Sequence, residues 1–182
     1  MTNKYFTSDW HLFHNHIIEY CDRKPASVQQ MHQTLVFNHN QIVKPDDELW
    51  VIGDISLMSA EFAGRVGKQI EKFNGIKHLV LGNHDEWKAQ SFEKIGFTTV
   101  HTAMWFKFND LTFYMMHDPS KYIVIEKDPK AILLCGHVHT LFQHLLPKKR
   151  VINVGVDAWD LKPVSFNQIL QLLSDHNVLE LS

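Results

Sequence analysis

Seven residues with good metal-ligating side chains recur in five short clusters, each closing an apolar run. They are Asp9 and His11 in Ser8-Asp9-Trp10-His11, Asp54 in Gly53-Asp54, Asn83 in Gly82-Asn83-His84-Asp85, His117 in Met116-His117-Asp118, and His137 and His139 in Gly136-His137-Val138-His139. Oxygen and imidazole donors without cysteine suit divalent first-row ions. Two such ions about 3.5–4 Å apart can clamp the attacking and leaving oxygens of an in-line phosphoryl displacement. The chemistry this pattern fits is hydrolysis of a phosphate ester. Asp9 and His11 are two residues apart, so an extended backbone would point them to one side, and the same holds for His137 and His139. Asp54 stands alone behind a glycine and is the natural carboxylate to be shared between two ions. One His-x-His is weak by itself, whereas five blocks in order are specific.

Such clusters need a scaffold that brings strand ends together, because ligands in open α/β sheets gather beyond the carboxyl ends of strands. The periodicity predicts strands at Lys4–Ser8, Glu48–Gly53, Lys77–Leu81, Thr98–His101, Ala103–Asn109, Leu111–Met116, Ala131–Cys135, Val151–Val154 and Val178–Leu181. Helices are predicted from an N-cap at Ser27 to about Val43, over Ala60–Lys72 and around Trp87–Ile95. Phe166–Leu173 fits strand or helix. Asp9–Lys24 reads as a His-rich loop holding a single helical turn, and Asn109-Asp110 as a two-residue hairpin turn. Glycines 53, 82 and 136 precede ligand positions and suit close backbone approach or positive φ. Alternating strands and helices followed by a strand-rich half give an α/β fold, with two sheets face to face and helices outside.

At 182 residues the chain is expected to form one domain over 1–182 and to bury a core without disulfides. The formal charge of −2 supplies no general attraction to nucleic acid or acidic lipid. Only Cys21 and Cys135 are present, far apart, and no apolar run is long enough to span a bilayer. The opening residues run straight into the Asp9 cluster without room for a signal peptide. The expected setting is the cytoplasm, with no membrane partner.

The order Asp-x-His, Gly-Asp, Gly-Asn-His-Asp, His, Gly-His-x-His resembles the calcineurin-like metallophosphoesterase superfamily. The likeness spans Asp9 to His139 and is strongest to small single-domain bacterial and phage-type members. It implies a four-layer sandwich, two mixed β-sheets flanked by α-helices. It implies two divalent ions, manganese first, with iron, zinc or nickel also fitting. One would be held by Asp9, His11, Asp54 and His139, the other by Asp54, Asn83, His117 and His137. A hydroxide bridging both would attack phosphorus, with His84 as general acid and Asp85 orienting His84. Leu57 stands where purple acid phosphatases carry an iron-binding tyrosine, so an iron–phenolate site is not expected.

Retention of His84 favours a phosphodiester, nucleotide-like or a nucleic-acid end, because a poor leaving alkoxide needs an acid. The alternative is a phosphomonoesterase acting on a small metabolite or nucleotide. A non-catalytic scaffold or sensor is less expected, since no ligand position is lost. His14 and Arg23 are candidate substrate-binding residues, the rival reading for Arg23 being a salt bridge that holds its loop. Trp159 could stack on a base or pack an edge, and Asp157 reads as capping a turn. Pro147-Lys148-Lys149-Arg150 could steer a phosphate but more often marks a solvated hairpin tip, and Lys121, Lys127 and Lys130 could add to that face. Trp105, Phe106 and Phe108 fit either a dimer patch or alternating burial. The remaining histidines lack motif context.

Overall fold

In chain order the strands of the computed structural model are Lys4–Thr7 (β1), Glu48–Ile52 (β2), Ile76–Val80 (β3), Thr99–His101 (β4), Met104–Phe108 (β5), Leu111–Met115 (β6), Ala131–Cys135 (β7), Leu145–Leu146 (β8), Val151–Asn153 (β9) and Val164–Ser165 (β10). The helices are Ile17–Tyr20 (α1), Val28–Asn40 (α2), Ala63–Ile70 (α3), Ala89–Lys94 (α4) and Phe166–Asp175 (α5). The structure describes residues 2–120, 127–146 and 150–178. The steering reading of Lys121 and of the run 147–149 lies outside those residues, and so does all of the Val178–Leu181 strand beyond Val178.

Two mixed sheets result, with the orders β10-β1-β2-β3-β4 and β5-β6-β7-β9-β8. In the first, β1 to β4 run parallel and β10 pairs antiparallel with β1. In the second, β6, β7 and β9 are parallel between antiparallel edges β5 and β8. Strand β2 shows why the layers form. Leu49 and Val51 face one way, into a cluster with Met31 and Leu35 of α2, Val66 and Ile70 of α3 and Phe92 of α4. Trp50 and Ile52 face the other way, against Phe113, Met115, Ile132 and Leu134 of the second sheet. A parallel strand buried on both faces reads as a continuous apolar run, as Leu49-Trp50-Val51-Ile52 does. The fold is therefore α/β with two mixed sheets flanked by helices, as expected.

Phe166–Asp175, ambiguous in sequence, is helical. Ser165 and Gln168 form a reciprocal capping box at its start, and Ile169 and Leu173 join the inter-sheet core. The S-x-x-Q spacing was the signal that decides between the two readings. Asn109 has φ 51° and Phe108 pairs with Leu111 across it, giving the expected two-residue hairpin. The expected helix at Ala60 opens with a 3₁₀ turn over Ala60–Phe62. Val178 packs into the inter-sheet core outside any strand. On edge strand β5, Trp105 is exposed while Phe106 stacks between Phe6 and Phe113. Among the described residues no helix is long and apolar enough to cross a membrane.

Candidate metal centre

All five clusters follow a parallel strand directly: Asp9 after β1, Asp54 after β2, Asn83 after β3, His117 after β6 and His137 after β7. Cross-links between the loops hold them together. Asp9 N donates to Gly53 O at 3.0 Å and His11 N to Asp54 O at 3.1 Å. The His137 amide, from the second sheet, donates to the Asp9 carboxylate at 3.1 Å. The expectation that strand alternation aligns each ligand pair is corrected by the backbone. Asp9, His11, Asp54, His137 and His139 all adopt left-handed φ, at 59°, 47°, 55°, 71° and 44°. Asp and His tolerate this region better than most residues, yet such positions still cost about 1–3 kcal/mol each and concentrate at functional sites. Between Asp9 and His11, Trp10 turns into the core and stacks on Phe73 at 4.4 Å, so burial of that ring helps hold the loop.

The structure brings six candidates into two groups whose donor atoms lie within 4.8 Å of one another: Asp9, His11 and His139, and Asp54, His117 and His137. Asp54 also reaches the first group, with Oδ2 at 3.7 Å from His11 Nε2 and 3.2 Å from His117 Nε2. The seventh candidate, Asn83, places Oδ1 2.8 Å from His137 Nδ1. Both ring nitrogens of buried His11, and Nε2 of buried His117, lack a hydrogen-bond partner. Buried polar atoms are normally satisfied. Orphaned imidazole nitrogens facing carboxylates are what a bound cation would complete, so the donor set fits divalent ions.

The electrostatics suit the same reading. Burial alone would lower the His117 pKa, but the neighbouring Asp54 and Asp9 carboxylates raise it to about 9. Burial is likewise outweighed at His139, chiefly by its hydrogen bond to Asp157, and its pKa rises to about 10. Buried His11, with Asp54 opposing, falls to about 3. Burial pushes Asp54 upward, but His117 pulls it down to about 2. The two raised histidines predict a pH effect whose sign is fixed. In chelated protein their stabilisation is complete below the ordinary 6.5 and is lost as pH rises through about 9 to 10. Metal binding needs the same imidazoles neutral, so ion affinity rises over that interval. The thermal midpoint of the manganese-loaded chain should therefore pull away from that of the chelated chain between about pH 7 and pH 10. A gap that narrows with rising pH would contradict these assignments.

Two glycines make the packing possible. Gly53 has φ 84°, a conformation costly for any side-chain-bearing residue. A Cβ on Gly82 would sit 2.5 Å from Asp54 N and nearer still to the Asp54 carboxylate. Gly82→Ala should displace Asp54 and weaken ion binding by on the order of 10²-fold, read by calorimetry against manganese. An alanine variant with unchanged affinity would show that Asp54 is not a ligand in the position the structure gives it.

The other expected site residues divide. His14 lies beside the centre, its ring 5.6 Å from that of His11, and its buried Nδ1 is unpartnered. His84 is exposed, its ring 5.8 Å from His11 and its amide donating to Asp54 Oδ1 at 3.0 Å. Asp85, expected behind the His84 ring, is turned elsewhere. Its carboxylate accepts from the amides of Asp54 at 2.8 Å, Ile55 at 3.0 Å and Gly82 at 2.9 Å, tying the β2 and β3 loops together. Burial, opposed by these bonds, raises its pKa to about 6.

Arg23, expected on the substrate side, is buried and committed. It pairs with Asp157 and donates to the carbonyls of Asp9 and Trp10, so the salt-bridge reading is the one the structure adopts. Asp157 does not act as a simple turn cap: it accepts from His139 Nδ1 at 2.7 Å. Trp159 is packed, donating to Asn153 O at 2.7 Å and lying 4.1 Å from the His144 ring. Arg150 donates to the Pro129 and Asp128 carbonyls. Leu57 is partly exposed and lines the cavity beside His84.

No family model matches the chain. An uncharacterized protein of Methanocaldococcus jannaschii is 29% identical over 183 residues, covering 98% of this chain and 96% of that protein. The Gene 66 protein of Mycobacterium phage L5 is 28% identical over 207 residues, covering 96% and 95%. A solved structure, a protein of unknown function from Aquifex aeolicus, aligns with a TM-score of 0.72 at 23% identity over 94% of this chain and 100% of its own, and so shares the fold.

Proposed function

We propose that this chain is a dinuclear, metal-dependent phosphoesterase that hydrolyses a phosphodiester of nucleotide type, with manganese as its working ion. The observation that carries the reading is the pair of His/Asp groups around Asp54, with buried imidazole nitrogens left unpartnered. When bound, the two ions supply an activated water and positive charge for the phosphoryl oxygens. The order of the five sequence blocks supports the same class.

The chain's own groups take the remaining roles. Asp54 holds both groups in one charge cluster, and Asn83 extends the second. His84 is exposed at the edge of the centre and free to give a proton to the departing oxygen. Beside it opens a cavity of about 570 Å³, lined by Leu57, Met58, Trp87 and Lys88 among others. A space next to the proton donor suits a sizeable leaving alcohol and so favours a diester. His14 stands by the centre as a donor for a phosphate oxygen. Asp85 acts by fixing the loops rather than by touching His84.

The test is hydrolysis of bis(p-nitrophenyl) phosphate beside p-nitrophenyl phosphate by stripped protein reloaded with manganese, with Asn83→Ala as control. The reading expects turnover that needs both the ion and Asn83 and is faster on the diester. Faster monoester turnover would move the substrate class. No turnover with any divalent ion would overturn the enzyme reading.

A further inference from the structure

The Arg23–Asp157 ion pair is nearly sealed from solvent, with each side chain 1% exposed. It is bidentate, Nε to Oδ1 at 2.7 Å and Nη2 to Oδ2 at 2.9 Å. Desolvation makes a buried pair a poor source of stability in itself. What distinguishes this one is where its spare bonds go. Asp157 Oδ2 accepts from His139 Nδ1 at 2.7 Å. Arg23 Nη2 donates to Asp9 O at 2.7 Å and Nη1 to Trp10 O at 3.1 Å. One pair thus grips the His139 ring and the left-handed backbone that carries Asp9 and His11. Those three residues make up one of the two ligand groups.

The second group is held differently: buried Asp85 fixes the backbone at Asp54 and Gly82, and among the described residues no buried ion pair grips its exposed members. His117 Nδ1 rests on the Ile52 carbonyl at 2.7 Å, but His137 and Asn83 are both exposed. Cys21 also lies near His139 and Asp157. A third ion among them is disfavoured, because both Asp157 oxygens already face the Arg23 guanidinium.

We propose that Arg23 and Asp157 are positioning residues that preorganise the Asp9/His11/His139 half-site, so that two ions bind unequally and this half-site fills first. The proposal rests on the dinuclear reading above. With Nδ1–H given to Asp157, the His139 Nε2 lone pair is left for the ion, and the ring is fixed in orientation before the ion arrives. Partners of this kind typically change ion affinity 10–100-fold when removed.

The experiment is calorimetric titration of the stripped full chain with Mn²⁺, comparing wild type with Asp157→Asn and following the thermal midpoint of each. Wild type should show two events of different affinity. In the variant the tighter event should weaken about 10–100-fold, while the weaker one stays within about twofold. If the single variant fails to fold, with Arg23 left buried and unpaired, the double variant Arg23→Met/Asp157→Asn removes both charges and should show the same selective loss. Equal weakening of both events, loss confined to the weaker one, or no change would overturn the proposal while leaving the dinuclear reading intact. Two equal events in wild type would do the same. Fewer than two ions bound by wild type would overturn both.

Discussion

Asp54→Asn should lower metal-dependent kcat/KM by on the order of 10³-fold, about 4 kcal/mol of transition-state stabilisation. Asparagine keeps the size of the side chain but removes its charge and one good coordinating oxygen. The Asp54 carboxylate approaches histidines of both groups, at 3.7 Å from His11 Nε2 and 3.2 Å from His117 Nε2, closer to His117 than the 3.9 Å of Asp9 Oδ1. On the proposed two-ion reading, losing it should separate the two half-sites, and the variant should bind one ion in place of two. Turnover of bis(p-nitrophenyl) phosphate and manganese stoichiometry read the two consequences separately. A variant within about tenfold of wild type that still held two ions would show that Asp54 is not the shared carboxylate.

His84→Ala should have an effect that depends on the leaving group. A general acid is worth about 10²–10⁴-fold when the departing oxygen is a poor leaving group. It is worth little when the product is p-nitrophenolate, which leaves without a proton. The variant should therefore lose on the order of 10²-fold or more on a dinucleotide and less than about tenfold on bis(p-nitrophenyl) phosphate. Its ion affinity should stay near wild type, because the hydrogen bond His84 gives a candidate ligand, Asp54, comes from its backbone amide and survives the substitution. Equal losses on both substrates would assign His84 to phosphate binding, and no loss on either would remove it from the chemistry.

Much of this cluster is legible in the chain because the candidate ligands sit directly after strands. The apolar runs before Asp9, Asp54, Asn83, His117 and His137 mark strands that tertiary packing does not override, and parallel strands deliver their ends to one side. The supporting residues were harder to see for a physical reason. Arg23 and Asp157 are 134 residues apart, and neither position carries a local pattern that announces a partner. The resemblance assigns Asp85 to its neighbour His84, and a carboxylate turned instead toward the Asp54, Ile55 and Gly82 amides leaves no mark in the sequence. The left-handed backbone at five candidate-ligand positions is equally invisible in the sequence. Asp and His can adopt it, but nothing in their identity demands it, and the loops are held there by contacts such as the buried Trp10. By contrast, α5 was within reach, since Ser165 and Gln168 carry a capping signature that favours helix over strand.

Everything proposed for this chain turns on a shared two-ion centre around Asp54. Its most direct test is a crystal structure of the manganese-loaded chain with anomalous diffraction. Two peaks about 3.5–4 Å apart are expected, one bonded by Asp9, His11, Asp54 and His139 and the other by Asp54, Asn83, His117 and His137. A single peak, or two peaks with Asp54 bonded to neither, would contradict it.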